Sequence, residues 1–326
     1  MTAFDQITSR LGEQAIELPS WAFGNSGTRF KVFATPGTPR TPEEKIADAA
    51  QVHKFTALAP SVALHIPWDK VDDFAALSGF AVDHGVKLGT VNSNTFQDDD
   101  YKFGSLTHIH PKIRQKAIDH HFECIDIMTE IGSRDLKIWL ADGSNYPGQQ
   151  DIRGRQDRLA DSLAKIYGRL GQDQRLVLEY KFFEPAFYHM DVPDWGTSYV
   201  QVAALGDRAM VCLDTGHHAP GTNIEFIVAQ LLRLGKLGSF DFNHSGSCAN
   251  VAWPTMRAIG LAPSSLADDS RASTSTSAAA PSLIDELDAA VMVPPFLNAG
   301  LSEAILSSLT LPGPSSMAGA VGARPV

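Results

Sequence analysis

Five polar residues at the ends of three successive apolar runs have the types needed for metal-assisted chemistry. In LVLEYK, Glu179 and Lys181 are two residues apart, so in a strand their side chains point to the same side. In VCLDTGHH, Asp214 closes an apolar run and His217 follows after a Thr-Gly turn. In FDFN, Asp241 has the same relative position as Asp214. Together these runs offer three carboxylates, one imidazole and one ammonium.

The carboxylates and the imidazole predict a divalent metal site. Oxygen-rich sites suit Mg²⁺ and Mn²⁺, and an imidazole also admits Zn²⁺ or Co²⁺. A single acid at a strand end is more often a helix cap or an ion-pair partner than a metal ligand. Three acids on neighbouring apolar runs fit that interpretation less well, because a buried carboxylate without a partner is costly.

A second group of residues predicts the wall of a pocket. His65 and Trp68 close the run SVALHIPWDK, and Trp21 and Trp139 have comparable positions in PSWAFGN and LKIWLADG. Aromatic rings at the mouth of a barrel can stack on the apolar face of a sugar ring. The alternative is that each tryptophan belongs to the core and that His65 is a structural histidine.

The elements that must position these residues follow from the alternation of short apolar runs with longer amphipathic ones. This rhythm is typical of βα units and a parallel sheet. Helices are predicted at Thr41–Leu58, Pro111–Ile131, Ile152–Leu170 and Asn223–Leu234. Strands are predicted at Ser20–Asn25, Ser61–Trp68, Lys87–Asn94, Asp135–Ala141, Arg175–Lys181, Ala209–Thr215 and Leu237–Asn243.

Seven strands with intervening helices predict an α/β fold, a (β/α)8 TIM barrel whose last strand and C-terminal helices are atypical or missing. Residues 1–245 would form the barrel domain. An open doubly wound sheet is the competing interpretation, but no glycine-rich turn follows the first strand to hold a nucleotide. Active sites of TIM barrels lie at the C-terminal ends of the strands, where the polar residues above are found.

The last part of the chain differs in composition. Residues 246–326 are rich in Ser, Ala and Pro and include RASTSTSAAAPS, which is typical of a linker. We expect this divergent segment to be poorly ordered. The apolar stretches Leu283–Val293 and Leu301–Leu309 could form marginal helices, and the alternative to low order is an altered C-terminus that replaces the end of a complete barrel.

Composition excludes several classes of protein. The 326 residues are 44% hydrophobic and 20% charged, as in a soluble globular enzyme, and no apolar run is long enough to span a bilayer. The net charge of −10 disfavours nucleic acid and anionic lipid as partners. Three widely spaced cysteines fit no disulfide framework, and the start of the chain has no secretion signal, so a cytoplasmic location is expected.

The sequence resembles the bacterial L-rhamnose isomerase family, of the broad-specificity type related to xylose isomerase. The resemblance covers roughly residues 5–245. It is carried by WAFGNSGTRF, LHIPWDK, NSNTFQDDDYKFGSLTH, KIWLADGSNYPGQ, LEYKFFEPAFYHMDVPDWGTS and CLDTGHHAPGTNIEFIVAQLLRLGKLGSFDFN.

The resemblance implies a TIM-barrel enzyme that interconverts an aldose and its ketose, such as L-rhamnose and L-rhamnulose or a related aldose such as D-allose. It implies two divalent metals, usually Mn²⁺ and also Co²⁺, Mg²⁺ or Zn²⁺, and a homotetramer. Glu179, Asp214 and Asp241 would hold a structural metal, and His217 a catalytic one.

The same resemblance assigns roles to the remaining candidates. Lys181 would polarise the substrate oxygen at C1, and His65 would assist ring opening. Trp21, Trp68 and Trp139 would form the hydrophobic wall of the pocket.

The chain departs from the family after FDFN. The family has an Asp-rich run there, whereas HSGSCANVAWPTMRAIG contains no acid, and the nearest acids are Asp268 and Asp269. Three hypotheses follow: an isomerase with a weakened metal site, a sugar-binding relative that has lost catalysis, and an unstable product with unpaired barrel edges.

Overall fold

The structure is a computed structural model that describes residues 16–26, 33–184, 187–219, 221–242 and 291–293, together with the single residues Asp5 and Ser9. Within these ranges the chain forms a closed barrel surrounded by helices. The strands are β1 (Glu17–Pro19), β2 (Ser61–Ile66), β3 (Lys87–Ser93), β4 (Asp135–Trp139), β5 (Gly143–Ser144), β6 (Arg175–Glu179), β7 (His189–Met190), β8 (Ala209–Asp214), β9 (Leu237–Phe242) and β10 (Val291–Val293).

Seven of the barrel strands are parallel, and the eighth place is occupied by an antiparallel strand. The order around the ring is β1, β2, β3, β4, β6, β8, β9 and β10, with β10 closing the ring against β1. The predicted barrel with an atypical last strand is confirmed. The marginal helix considered for Leu283–Val293 does not include Val291–Val293, which pairs with β9 and β1 as a strand.

The first predicted strand is also wrong in its position. The barrel strand is β1, three residues earlier than Ser20–Asn25, and Ser20–Ala22 forms a turn of 3₁₀ helix. Ladder hydrogen bonds to β2 fix this register, with Glu17 opposite Ser61 and Pro19 opposite Ala63. The other six predicted strands lie within one or two residues of the observed ones.

Six helices of the described ranges cover the barrel, and side-chain caps define where most of them begin. Thr41 accepts a hydrogen bond from the Glu44 amide, and Asn223 accepts one from the Phe226 amide. The two helices α2 and α5 were not among those predicted. The helices are α1 (Pro42–Thr56), α2 (Phe74–Asp83), α3 (Pro111–Ile131), α4 (Ile152–Arg169), α5 (Trp195–Leu205) and α6 (Ile224–Arg233).

Alternation along the strands divides the core into two layers. Leu136 and Ile138 of β4, like Leu176 and Leu178 of β6, belong to the large apolar cluster shared with the helices. The alternate residues, such as Lys137, therefore point into the barrel. The candidate residues are thus carried on the inner face. No helix in the described ranges has the length and apolarity needed to cross a membrane.

Candidate active site

The acids predicted from the sequence meet at the C-terminal edge of the barrel. Glu179 is the last residue of β6, Asp214 is the last of β8, and Asp241 is the penultimate residue of β9. In the sheet register Glu179 lies beside Cys212, and Asp214 lies beside Asp241. All three carboxylates are buried. Parallel neighbouring strands bring residues far apart in sequence to this one edge.

His217 joins two of these acids. Its Nδ1 atom lies 3.0 Å from Oε1 of Glu179, and its Nε2 atom lies 3.5 Å from Oδ2 of Asp214. The turn after β8 is held by the Gly216 amide, which donates to Oδ1 of Asp214 across 2.7 Å. Ligand atoms of Glu179, Asp214 and His217 all lie within 4.8 Å of one another. We call these three residues the outer group.

The charges of the outer group support one another. Burial favours the neutral form of Glu179, but the hydrogen bond and charge of His217 lower the pKa of this carboxyl below its ordinary value. Burial also opposes the imidazolium of His217, yet Asp214 and Glu179 raise the pKa of that ring. The two carboxylates therefore favour a positive charge on the ring that lies between them, as they would favour a bound cation.

Asp241 is placed differently from the other predicted ligands. Its Oδ1 atom forms an ion pair with Nζ of Lys137, and both side chains are buried. Asp241 also lies with Glu179 and Cys212 in a second cluster, whose ligand atoms are within 4.8 Å of one another. We call Glu179, Cys212 and Asp241 the inner group. Burial, together with the charges of Glu179 and Asp214, raises the pKa of Asp241, and Lys137 opposes this shift.

The outer group fits a divalent ion. It offers two buried carboxylates and an imidazole, and these oxygen and nitrogen donors are the ligands that Mn²⁺, Mg²⁺, Co²⁺ and Zn²⁺ use in proteins. His217 would bind the ion in its neutral form, because the ring nitrogen that coordinates a metal must be deprotonated. Three protein ligands leave coordination positions open for oxygen atoms of a substrate.

A continuous row of rings lines the barrel mouth next to these ligands. His65 stacks on Trp68 with centroids 4.0 Å apart, and its ring meets Trp21 edge-on at 5.2 Å. Phe96 bridges to Trp139, with centroids 4.9 Å apart. The structure thus brings the three predicted tryptophans and His65 into one wall. Phe96, in the loop after β3, was not among the predicted residues.

Two buried nitrogen atoms in this wall have no hydrogen-bond partner among the described residues: Nδ1 of His65 and Nε1 of Trp139. Burial, with contributions from His120 and Lys45, lowers the pKa of His65 to about 3, so its ring is neutral at physiological pH. Buried polar atoms normally find a partner. A polar ligand in the pocket would satisfy both atoms.

Lys181 lies at the end of the same wall. Its Nζ atom is 5.4 Å from the centre of the Trp139 ring and 2.9 Å from Oε2 of Glu184. Glu184 is buried, so the pair holds the lysine over the wall. Sequence reasoning missed Glu184, which follows two phenylalanines in KFFEP. It also missed Lys137, whose one available signal was a lysine inside the apolar strand DLKIW.

Two buried polar networks fix the loops that carry the wall. Asp69 accepts hydrogen bonds from Lys45 and from the His65 amide, each across 2.7 Å, and from the Ser20 hydroxyl. These bonds tie the 3₁₀ turn that contains Ser20 and Trp21 to the turn that carries Trp68.

The second network anchors the long loop after β3. Arg155 donates from Nε to Asp191 and from Nη2 to Oγ1 of Thr107 across 2.7 Å. Asp142 accepts from the Ser105 amide and hydroxyl. Nearby, β5 and β7 form a small two-stranded antiparallel sheet at the mouth. Gly143 is required there, because a Cβ atom would lie 2.4 Å from the His189 carbonyl oxygen.

Sequence comparisons connect this barrel with sugar-converting proteins. No family model matches the chain. A probable sugar isomerase of Rhizobium meliloti is 44% identical over 246 residues, which are 74% of this chain and 57% of that protein. A probable sugar isomerase of Mesorhizobium japonicum is 44% identical over 248 residues, again 74% and 57%. The xylose isomerase of Thermus thermophilus is 26% identical over 61% of this chain and 56% of its own length.

Solved structures agree on the fold. An L-ribulose 3-epimerase superposes with a TM-score of 0.55 and 16% identity over 76% of this chain and 78% of its own. A D-psicose 3-epimerase of Clostridium cellulolyticum gives a TM-score of 0.52 and 14% identity, covering 75% and 81%. The chain spans little more than half the length of the sequence relatives. Over about three quarters of its own length it is similar in sequence to proteins named sugar isomerases.

Proposed function

We propose that this chain is a metal-dependent sugar isomerase that interconverts an aldose and its ketose, with L-rhamnose and L-rhamnulose as its substrate pair. The observation that carries the proposal is the outer group, Glu179, Asp214 and His217, at the barrel mouth beside a wall of aromatic rings. The sequence similarity of the chain to proteins named sugar isomerases supports the same conclusion. D-allose is a second aldose to which the proposal extends.

The reaction needs no external oxidant or reductant. Carbon C1 is reduced from aldehyde to alcohol while C2 is oxidised from alcohol to ketone, so hydrogen is only moved within the sugar. The outer group would hold a divalent ion, for which Mn²⁺ is the first choice and Co²⁺, Mg²⁺ and Zn²⁺ the alternatives. When bound, such an ion supplies Lewis-acid stabilisation of the charge that develops on the sugar oxygens.

The protein side chains bind and orient the sugar. Trp21, Trp68 and Trp139 would contact its apolar face, and Nε1 of Trp139 would donate a hydrogen bond to a hydroxyl group. Lys181 would donate to the oxygen at C1, where its positive charge favours the electron-rich transition state. His65 is neutral, and its Nδ1 atom has no hydrogen-bond partner among the described residues. This atom would bind the ring oxygen of the sugar, or the hydroxyl group that forms from it, during ring opening.

The test is an assay of purified full-length protein with L-rhamnose and Mn²⁺, following ketose formation. Turnover that a chelator removes and Mn²⁺ restores is the expected result. The Glu179→Gln variant should lose both turnover and bound metal, measured by mass spectrometry. Unchanged metal content in that variant would overturn the ligand assignment. Calorimetric binding of L-rhamnose without ketose formation would instead indicate a sugar-binding protein.

A further inference from the structure

The outer and inner groups are two overlapping clusters of ligands that share one carboxylate. Glu179 belongs to both, Asp214 and His217 complete the outer group, and Cys212 and Asp241 complete the inner one. Cys212 precedes Asp214 by two residues on β8, so it lies one layer deeper in the barrel. By geometry alone, each cluster has enough donors to hold a cation.

The inner group already contains a cation supplied by the chain. Lys137 extends from β4 across the barrel interior to Asp241 on β9, and two other strands, β6 and β8, lie between them in the ring. Its side chain is only 3% exposed. Besides its ion pair with Asp241, the ammonium interacts electrostatically with Cys212 and Glu179. Every member of the inner group therefore faces the same positive charge.

A divalent ion in the inner group would have to compete with this ammonium. Two like charges a few ångströms apart in a buried site repel strongly, and the lysine would have to break its buried ion pair with Asp241 to make room for the ion. In the outer group, Glu179 and Asp214 pair with His217, a ring that can bind a metal in its neutral form. We propose that Lys137 is the resident cation of the inner group, so that a divalent ion binds at the outer group alone and the Cys212 sulfur remains uncoordinated.

This inference rests on the proposed function and refines it by fixing the ligand chemistry of the metal site. Without a thiolate, the site offers oxygen and nitrogen donors and suits harder ions such as Mn²⁺ and Mg²⁺. With the ammonium removed, Glu179, Cys212 and Asp241 would form a softer site that favours Zn²⁺, Cd²⁺ or Co²⁺. Lys137 is thus a specificity-determining residue for the metal.

The test is a Co²⁺ titration of the full chain, read by absorption, because a thiolate ligand adds a charge-transfer band in the near ultraviolet. In the wild type we expect Co²⁺ to bind without a thiolate band. The Glu179→Gln variant should abolish this binding. Lys137→Met should bind one further Co²⁺ and gain the band. The double variant Lys137→Met with Cys212→Ser should lose it, which assigns the sulfur.

The outcomes separate this inference from the proposed function. A thiolate band in wild-type protein that Cys212→Ser removes would overturn the role of Lys137 while leaving a metal site in place. An absence of any Co²⁺ binding would overturn both. If Lys137→Met does not fold, the wild type and Cys212→Ser still decide the question. A folded Lys137→Met, verified by circular dichroism, that binds no additional ion also contradicts the inference.

Discussion

Asp69 and Lys45 form an ion pair of 2.7 Å in which neither side chain has appreciable contact with solvent: the carboxylate is fully buried and the lysine is 5% exposed. The same carboxylate accepts the amide hydrogen bond of His65. The pair therefore connects helix α1 with the end of β2, where the aromatic wall begins. A buried ion pair contributes little net stability, but removing one partner leaves an unpaired charge.

The variant Asp69→Ala should lower the free energy of unfolding by about 3–5 kcal/mol, because Lys45 would remain buried without its counterion. Urea denaturation measures this loss. The matched control is Asp161→Ala, which breaks an exposed pair with Lys165 and should cost no more than about 1 kcal/mol. Equal losses in the two variants would show that Lys45 finds another partner.

Metal removal should lower thermal stability through the outer group. A ligand that binds only the folded state stabilises it by about 2.7 kcal/mol at one hundred times its dissociation constant. For a domain of this size, that corresponds to roughly 5–10 °C in Tm between Mn²⁺-loaded and chelated protein. Differential scanning fluorimetry measures the shift. The Glu179→Gln variant should show no shift in Tm on metal removal. The control Glu123→Gln, which alters a partly exposed ion pair with Lys70, should keep the wild-type shift.

The variant Lys181→Met should separate catalysis from metal binding. Removal of its charge from the barrel mouth is expected to reduce kcat for ketose formation by about a hundredfold or more. Metal content should stay at the wild-type level, because the Lys181 ammonium forms its ion pair with Glu184 and its positive charge near Glu179 and His217 does not assist cation binding. Steady-state kinetics and mass spectrometry give the two readouts. Wild-type kcat in this variant would remove Lys181 from the mechanism.

His121 should make the fold sensitive to acid. It is fully buried on α3, where Nδ1 donates to the Ala117 carbonyl and Nε2 accepts from the Ser93 hydroxyl. Burial, with a contribution from His120, lowers the pKa of His121 from 6.5 to about 3. The unfolded chain therefore takes up a proton below pH 6.5 that the folded protein does not. This contribution to stability is complete above pH 6.5 and is lost as the pH falls toward 3.

The measurement is the free energy of unfolding of wild type and His121→Gln between pH 7 and pH 4. Each unit of pH below 6.5 should cost the wild type about 1.4 kcal/mol more than the variant, which lacks this proton uptake. The variant loses stability at neutral pH as well, so the slopes are compared and not the absolute values. Parallel curves for the two proteins would contradict the assignment of a neutral buried histidine.

Local patterns were sufficient for most of the fold. Six strands and four helices could be predicted because their apolar periodicity and caps, such as Thr41 and Asn223, depend on neighbouring residues. The first strand could not, since Glu17–Pro19 is too short to show a pattern and is defined by pairing with β2. The antiparallel strand Val291–Val293 depends likewise on the free edges of β1 and β9. Asp268 and Asp269 lie outside the described residues, and the two-domain division stays a prediction.

The sequence by itself determined the types and strand-end positions of Glu179, Asp214, His217 and Asp241, because the carboxyl ends of parallel strands converge on one edge. Only the tertiary structure decided which of these residues lie in the outer group and which in the inner group. A lysine on β4 reaches Asp241 across two intervening strands, and such a contact between distant residues leaves no periodic signal in the chain. Asp241 therefore pairs with Lys137, whereas Glu179 and Asp214 pair with His217. The physical reason is that a buried carboxylate needs a nearby positive partner, and the packing of the barrel decides which partner is near.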